Sequence, residues 1–194
     1  MSKLGREDLY SLEQYVEIRP QFRTNIMAYK KDRQLPLGNN ARLYFESRKT
    51  ILYQIQEVLR VEKTFDVKGI EEELEAYNPL IPDGSNFKAT FMLEYPDEKL
   101  RERKTVELRG IEHQVWIQVE GCEKIYAIAD EDLARDDGSR TSTVHFMRFE
   151  LNPRMVAALK SGANLGAGIE HQAYDVTIAR IPGNVRDSLI TDLT

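Results

Sequence analysis

Two stretches of strict alternation constrain this chain more than any other feature. Phe87, Ala89, Phe91, Leu93 and Tyr95 take one side of a run whose other side is Lys88, Thr90, Met92 and Glu94. From Thr143 to Leu151 the same period sets His145, Met147, Phe149 and Leu151 together. A period of two is that of a half-buried strand, because successive side chains point to opposite faces of the pleat. The middle of the chain therefore forms a sheet with one oily face.

Other segments follow around these two. Ala41–Glu46 alternates and reads as a short strand, with Ser47 capping the helix that follows. Ile51, Ile55, Val58 and Leu59 give that helix its apolar face. Upstream, Leu9, Leu12 and Val16 recur at helical spacing until Arg19-Pro20, and Phe22, Ile26 and Tyr29 continue beyond. A proline inside a helical pattern predicts two helices here. Leu35–Asn40 reads as a loop. Ile70, Leu74 and Tyr77 mark another helix, with Glu71, Glu72 and Glu73 expected in its first turn, where the helix dipole favours acids. Asn78–Asn86 is rich in turn residues. Pro96-Asp97 opens a charged helix reaching about Arg109.

Val115–Ala129 reads as a hairpin about Gly121. A three-residue loop sets Glu120 opposite Lys124, which is preferred over a two-residue loop that would oppose Glu120 and Glu123. Asp130–Arg140 is polar and reads as a mobile connection. Asn152-Pro153 and Gly162 bracket a helix with a cap, a first-turn proline and a stop. Strands near Ala163–Ile169 and Tyr174–Arg180 and a final helix over Pro182–Leu193 complete the chain. Residues 1–80 are mainly helical and 81–194 mainly strands with interspersed helices. That order predicts an α+β fold in one domain: a mostly antiparallel sheet of about five to seven strands, with N-terminal helices and further helices packed against it.

Of the 194 residues, 41% are hydrophobic and 30% charged, which suffices for a real core. The net charge of −5 disfavours a phosphate backbone, so no nucleic-acid role is expected. The basic run Lys30-Lys31-Asp32-Arg33 reads as a helix C-terminus. No apolar run approaches the ~20 residues of a bilayer span, so no membrane insertion is expected. The N-terminus shows no apolar secretory core, and the lone Cys122 allows no intramolecular disulfide. Together these features point to a cytoplasmic setting. Cys122 sits between Glu120 and Glu123, whose charges disfavour a thiolate, so it is a poor nucleophile.

Only three histidines are present, His113, His145 and His171, and no local spacing matches a metal motif. A metal site would have to be assembled from distant elements, with His145, His171 and a carboxylate such as Glu94. His145 reads first as a core histidine satisfied by its neighbours. Gly-Ile-Glu-His-Gln occurs at Gly110–Gln114 and again at Gly168–Gln172, without matching upstream flanks, so coincidence or shared turn chemistry is preferred to a repeat. Glu57 and Arg60 can pair three residues apart on a helix face. Asp83, Asn86, Trp116, His145 and Arg148 join them as candidate ligand-binding residues. Hydrolase, kinase, phosphate-loop and dinucleotide signatures are absent.

Four stretches carry a family resemblance: Tyr53–Glu57, Tyr77–Asn86, Val115–Glu120 and Val144–Leu151. Together they resemble the bacterial domain-of-unknown-function family numbered 3501, from about Leu4 to Leu193. The resemblance implies no reaction and no catalytic residues. It implies an association with iron or peroxide redox proteins, since family members tend to be encoded beside rubrerythrin-like and iron–sulfur-binding, heterodisulfide-reductase-like proteins. The expected function is a binding or accessory module for such a partner, with no cofactor of its own. The alternative is a small metal-dependent enzyme or sensor around His145, holding a transition metal.

Overall fold

The computed structural model describes residues 2–129 and 139–194. Among them the chain forms six α-helices and nine strands in two antiparallel sheets, an α+β fold. The first sheet has the order β1-β2-β3-β7-β6, with β1 Gln34–Pro36, β2 Ala41–Phe45, β3 Asn86–Leu93, β6 Ile128–Ala129 and β7 Val144–Glu150. The second has the order β5-β4-β8-β9, with β4 Val115–Val119, β5 Lys124–Tyr126, β8 Leu165–His171 and β9 Tyr174–Ile178. The strands thus form two sheets and not the single one expected.

Both alternating stretches are neighbours in the first sheet, with Phe91 opposite His145 and Phe87 opposite Phe149. Their apolar sides share one core with Val115, Ile117 and Val119 of β4 and Leu165, Ala167 and Ile169 of β8. Residues 124–129 serve both sheets: Ile125 pairs with Ile117, Ala127 donates its N–H to Val115, and Ile128 pairs with Arg148. At another corner the Tyr174 hydroxyl donates to the Leu37 carbonyl (2.7 Å) and accepts from the Asn40 N–H. Gly38 permits that approach. It has φ +75°, and a Cβ there would stand 2.7 Å from the Tyr174 oxygen. Helices α5 (Pro153–Lys160) and α6 (Gly183–Ile190) supply Met155, Leu159, Val185 and Leu189 to the same core.

Helices α1 (Leu12–Lys31), α2 (Arg48–Glu62) and α3 (Val67–Tyr77) form the N-terminal helical part. Ile51, Ile55 and Leu59 of α2, four residues apart, meet Leu74 of α3 and Leu4 in a second apolar cluster. Helix α4 spans Glu98–Glu107.

Several expectations are corrected. Pro20 lies inside one continuous α1. Its ring removes the bond to the carbonyl of Val16, a residue that is 61% exposed, where water can replace the lost donor. Leu35 and Pro36 belong to β1, where proline is tolerated on a sheet edge. Helix α3 starts at Val67 with Asp66 as its cap, so Glu71–Glu73 lie beyond the first turn. The hairpin register pairs Gln118 with Lys124, so neither expected loop forms. Glu120 instead accepts from the backbone and side chain of Asn164. Most of the polar stretch Asp130–Arg140 lies outside the described residues.

Arg33 is the main surprise. It is 2% exposed and faces Asp192, also 2% exposed. Its Nε–H donates to the Phe45 carbonyl, Nη1 to Tyr29 and to the Ser188 carbonyl, and Nη2 to the Glu46 carbonyl and to Asp192. Every guanidinium N–H has an acceptor, as a buried charge requires. Burial pushes the Asp192 carboxyl up from its ordinary value, and the Arg33 charge and hydrogen bond act against that rise.

Arg33→Met leaves Asp192 buried without its cation and is expected to cost about 3–5 kcal/mol in urea unfolding. Adding Asp192→Leu is expected to recover part of the loss, because the uncompensated charge is then gone.

Candidate functional site

The seven candidate ligand residues fall into four places. Glu57 accepts from Arg19 Nε (2.7 Å) and Nη2 (2.8 Å) and from the Tyr15 hydroxyl (2.8 Å), so it joins α1 to α2. Arg19's hydrogen bonds hold the Glu57 carboxyl at about 2, against 4.5 for an unperturbed glutamate; burial opposes this and Tyr15 adds to it. Arg60 Nε stands 3.5 Å from Glu57 as the expected three-apart pair. That pair serves helix packing.

Asp83, Asn86 and Arg148 do come together. Asn86 is buried at the start of β3, and its amide donates to Asp83 (2.9 Å) and to Glu150 (3.2 Å). Arg148 donates to the same Glu150 oxygen at 2.7 Å. These bonds tie the turn before β3 to the end of β7.

Trp116 lies on the outward side of the second sheet, opposite Gly168. A Cβ on Gly168 would come within 2.5 Å of the indole, so the missing side chain makes the ring's berth. Lys124 Nζ sits 4.2 Å from the ring centroid and also pairs with Glu170.

His145 faces inward and is buried, as its alternation predicts. The Thr141 hydroxyl stands 2.8 Å from Glu112 Oε2 and 2.8 Å from His145 Nε2, and Nε2 is also 3.0 Å from the Ser142 carbonyl. A carbonyl only accepts, so that contact assigns a proton to Nε2. Thr141 then spends its single proton on Glu112. Glu112, Thr141 and His145 are all at most 7% exposed. In that arrangement the Nε2 proton goes to the Ser142 carbonyl, and this nitrogen serves the fold. The network fastens the start of β7 to the turn before β4. The alternation marked His145, and the repeated pentapeptide contained Glu112, but Thr141 carried no sequence signal.

The conditional metal set His145, Glu94 and His171 does not assemble. Glu94 lies on the outward side of the first sheet, bound to the Tyr44 hydroxyl (2.7 Å) and Arg42. His171 is half-buried beside the Arg109 carbonyl at 3.2 Å. Among the described residues no three His, Cys, Asp or Glu side chains gather as a metal site. The two Gly-Ile-Glu-His-Gln copies do adjoin, since Glu170 N–H donates to the Gln114 carbonyl. Their conformations differ: Ile111–His113 is a 3-10 turn, while Gly168 to His171 lies in β8. Shared turn chemistry is thereby excluded, and the two glutamates point to different partners, Thr141 and Lys124.

Two features were missed in the sequence. One is a cleft of about 270 Å³ between the end of α1, the start of α2 and the outward side of the first sheet. Lys30, Glu46 and Gln54 line it, with Tyr44 and Met92 as walls. The other is an apolar tip where α2 turns into α3: Val61 and Phe65 are 64% and 65% exposed, and Val67 is 47% exposed. No helix among the described residues is long and apolar enough to cross a membrane.

Two antiparallel sheets closed by helices, with their polar centres spent on internal tethers, define an α+β scaffold. The chain belongs to the family described as "Protein of unknown function (DUF3501)", whose model matches residues 3–193. It is also similar to the crystal structure, at 1.90 Å resolution, of a novel protein of unknown function from Burkholderia pseudomallei K96243. The two share 48% identity over 100% of both chains, with a TM-score of 0.94. No curated protein matches the chain.

Thr141→Val removes the hydroxyl that bridges Glu112 and His145 and is expected to cost about 1–3 kcal/mol in urea unfolding. Glu57 gives a pH signature. Its folded value is depressed, so its stabilisation is complete above about pH 4.5 and is lost as pH falls towards 2. The stability difference between the native chain and Glu57→Gln is expected to be largest near neutrality and to shrink below about pH 4.5.

Proposed function

We propose that this chain is a binding module that serves a protein partner, and that it docks through the tip formed by Val61, Phe65 and Val67. The exposure of those three side chains carries the reading. Isolated exposed apolar residues are ordinary on a protein surface, but three within seven residues at one helix junction concentrate exposed apolar side chains in one place in the chain. Aromatic anchors such as Phe65 supply much of the energy of protein interfaces. Helices α2 and α3 hold the tip in place through Leu59 and Leu74, which are buried together just behind it. The family resemblance names the partner class to test first, a cytoplasmic rubrerythrin-like or iron–sulfur-binding protein. In that role the module contributes binding and positioning, and the iron chemistry belongs to the partner.

Tagged chain recovered from native cells is expected to carry an iron protein of that class, identified by mass spectrometry. Phe65→Asp is expected to abolish recovery while leaving the unfolding temperature within a few degrees, because Phe65 is largely solvent-facing. Equal recovery with Phe65→Asp would contradict docking through the tip.

A further inference from the structure

The cleft lies beside the N-terminal half of α2, whereas the apolar tip is at that helix's far end. Besides Arg33, whose charge is spent on Asp192, the cleft is lined by two charged side chains, Glu46 and Lys30, that form no ion pair among the described residues. Glu46 follows β2 directly, and its backbone is fixed on both sides: the N–H donates to the Lys88 carbonyl (2.8 Å) and the carbonyl accepts from Arg33 (2.7 Å). Its carboxylate is set by two hydroxyls, Thr50 of α2 at 2.6 Å and Thr90 of β3 at 3.0 Å. Among the described residues no cation pairs with it, and two hydroxyls leave acceptor capacity on both oxygens. Lys30, in the last turn of α1, holds its ammonium 5.3 Å from the Tyr53 ring and has no carboxylate partner among the described residues. The Gln54 amide likewise makes no hydrogen bond among them. Glu46 and Lys30 share the cleft without an ion pair between them.

A carboxylate and an ammonium that line one small cleft without pairing with each other fit a ligand that carries both charges. We propose that the cleft binds a small zwitterion of the α-amino-acid class. Its ammonium meets Glu46, and its carboxylate meets Lys30 and the Gln54 amide. Its side chain lies against Tyr44 and Met92. The volume of about 270 Å³ lies just below that of pockets for drug-sized ligands and suits a smaller molecule such as this. Glu46 is preorganised by Thr50, Thr90 and Arg33, so little ordering is left for binding to cost. Neither a simple anion nor a simple cation satisfies both ends, and the unmatched group of the protein would then oppose it.

Isothermal titration calorimetry of the full chain against the proteinogenic free L-amino acids tests this. At least one is expected to bind, and its N-acetyl and C-terminal amide forms are each expected to bind about tenfold more weakly or worse, since each loses one charge-assisted contact. Glu46→Gln is expected to weaken the free amino acid by a similar factor and to leave the N-acetyl form unchanged. Lys30→Met is expected to do the same for the free acid and to leave the amide form unchanged. Lys30 is at the end of a helix and gives up only its contact with the Tyr53 ring, so that variant is expected to keep the unfolding temperature within a few degrees. No binding by any free amino acid, or equal binding by the singly blocked forms, would overturn the proposal.

Discussion

A single guanidinium ties together three parts of the chain that are far apart in sequence. Arg33 leaves the end of α1, reaches the last residue of β2 and the residue after it, and meets Ser188 and Asp192 at the C-terminal helix. A charge this deep is tolerated only because each of its N–H groups has an acceptor and a carboxylate lies opposite. The backbone closes the same joint, since Phe45 N–H donates to the Arg33 carbonyl at 2.7 Å. The corner between β2 and α2 is therefore set from beneath. On that corner stand Ser47, which caps α2, and Glu46, which opens the cleft.

The two layers use different physics. The sheets are held by a continuous apolar core, and their register follows from which face is oily. The helical part adds polar fasteners to its own smaller apolar cluster: Glu57 to Arg19 and Tyr15, Gln56 to the Tyr10 backbone, and Lys88 to the Pro79 carbonyl. Such bonds have directional geometry: those of Glu57 and Gln56 fix how the N-terminal helical segments sit on one another, and that of Lys88 ties them to the first sheet.

The strands were legible in the sequence because period two survives any tertiary arrangement that buries one face. Helix caps at Ser47 and Asn152 were legible for the same local reason. What sequence spacing cannot show is which buried polar group meets which. Arg33 looked like the end of a basic run; what lets it be buried is Asp192, a partner 159 residues away that local spacing could not reveal. Pro20 misled because its cost depends on whether the orphaned carbonyl meets water. The candidate site residues were chemically well chosen but scattered: Asp83, Asn86 and Arg148 converge, while Glu57, Trp116 and His145 serve three separate joints. Glu46 carried no motif and Lys30 read only as part of a helix-terminal basic run; what singles them out is that neither has an ion-pair partner among the described residues, a property of the fold.

Amide hydrogen exchange of Arg33→Lys tests the central joint most directly. Lysine keeps the charge but lacks the planar fork, so it can serve only part of the acceptor set. Residues 44–50 and 183–194 are predicted to lose protection together, while β4, β8 and β9 keep theirs. Unchanged protection at both segments, or an even loss across both sheets, would contradict the account.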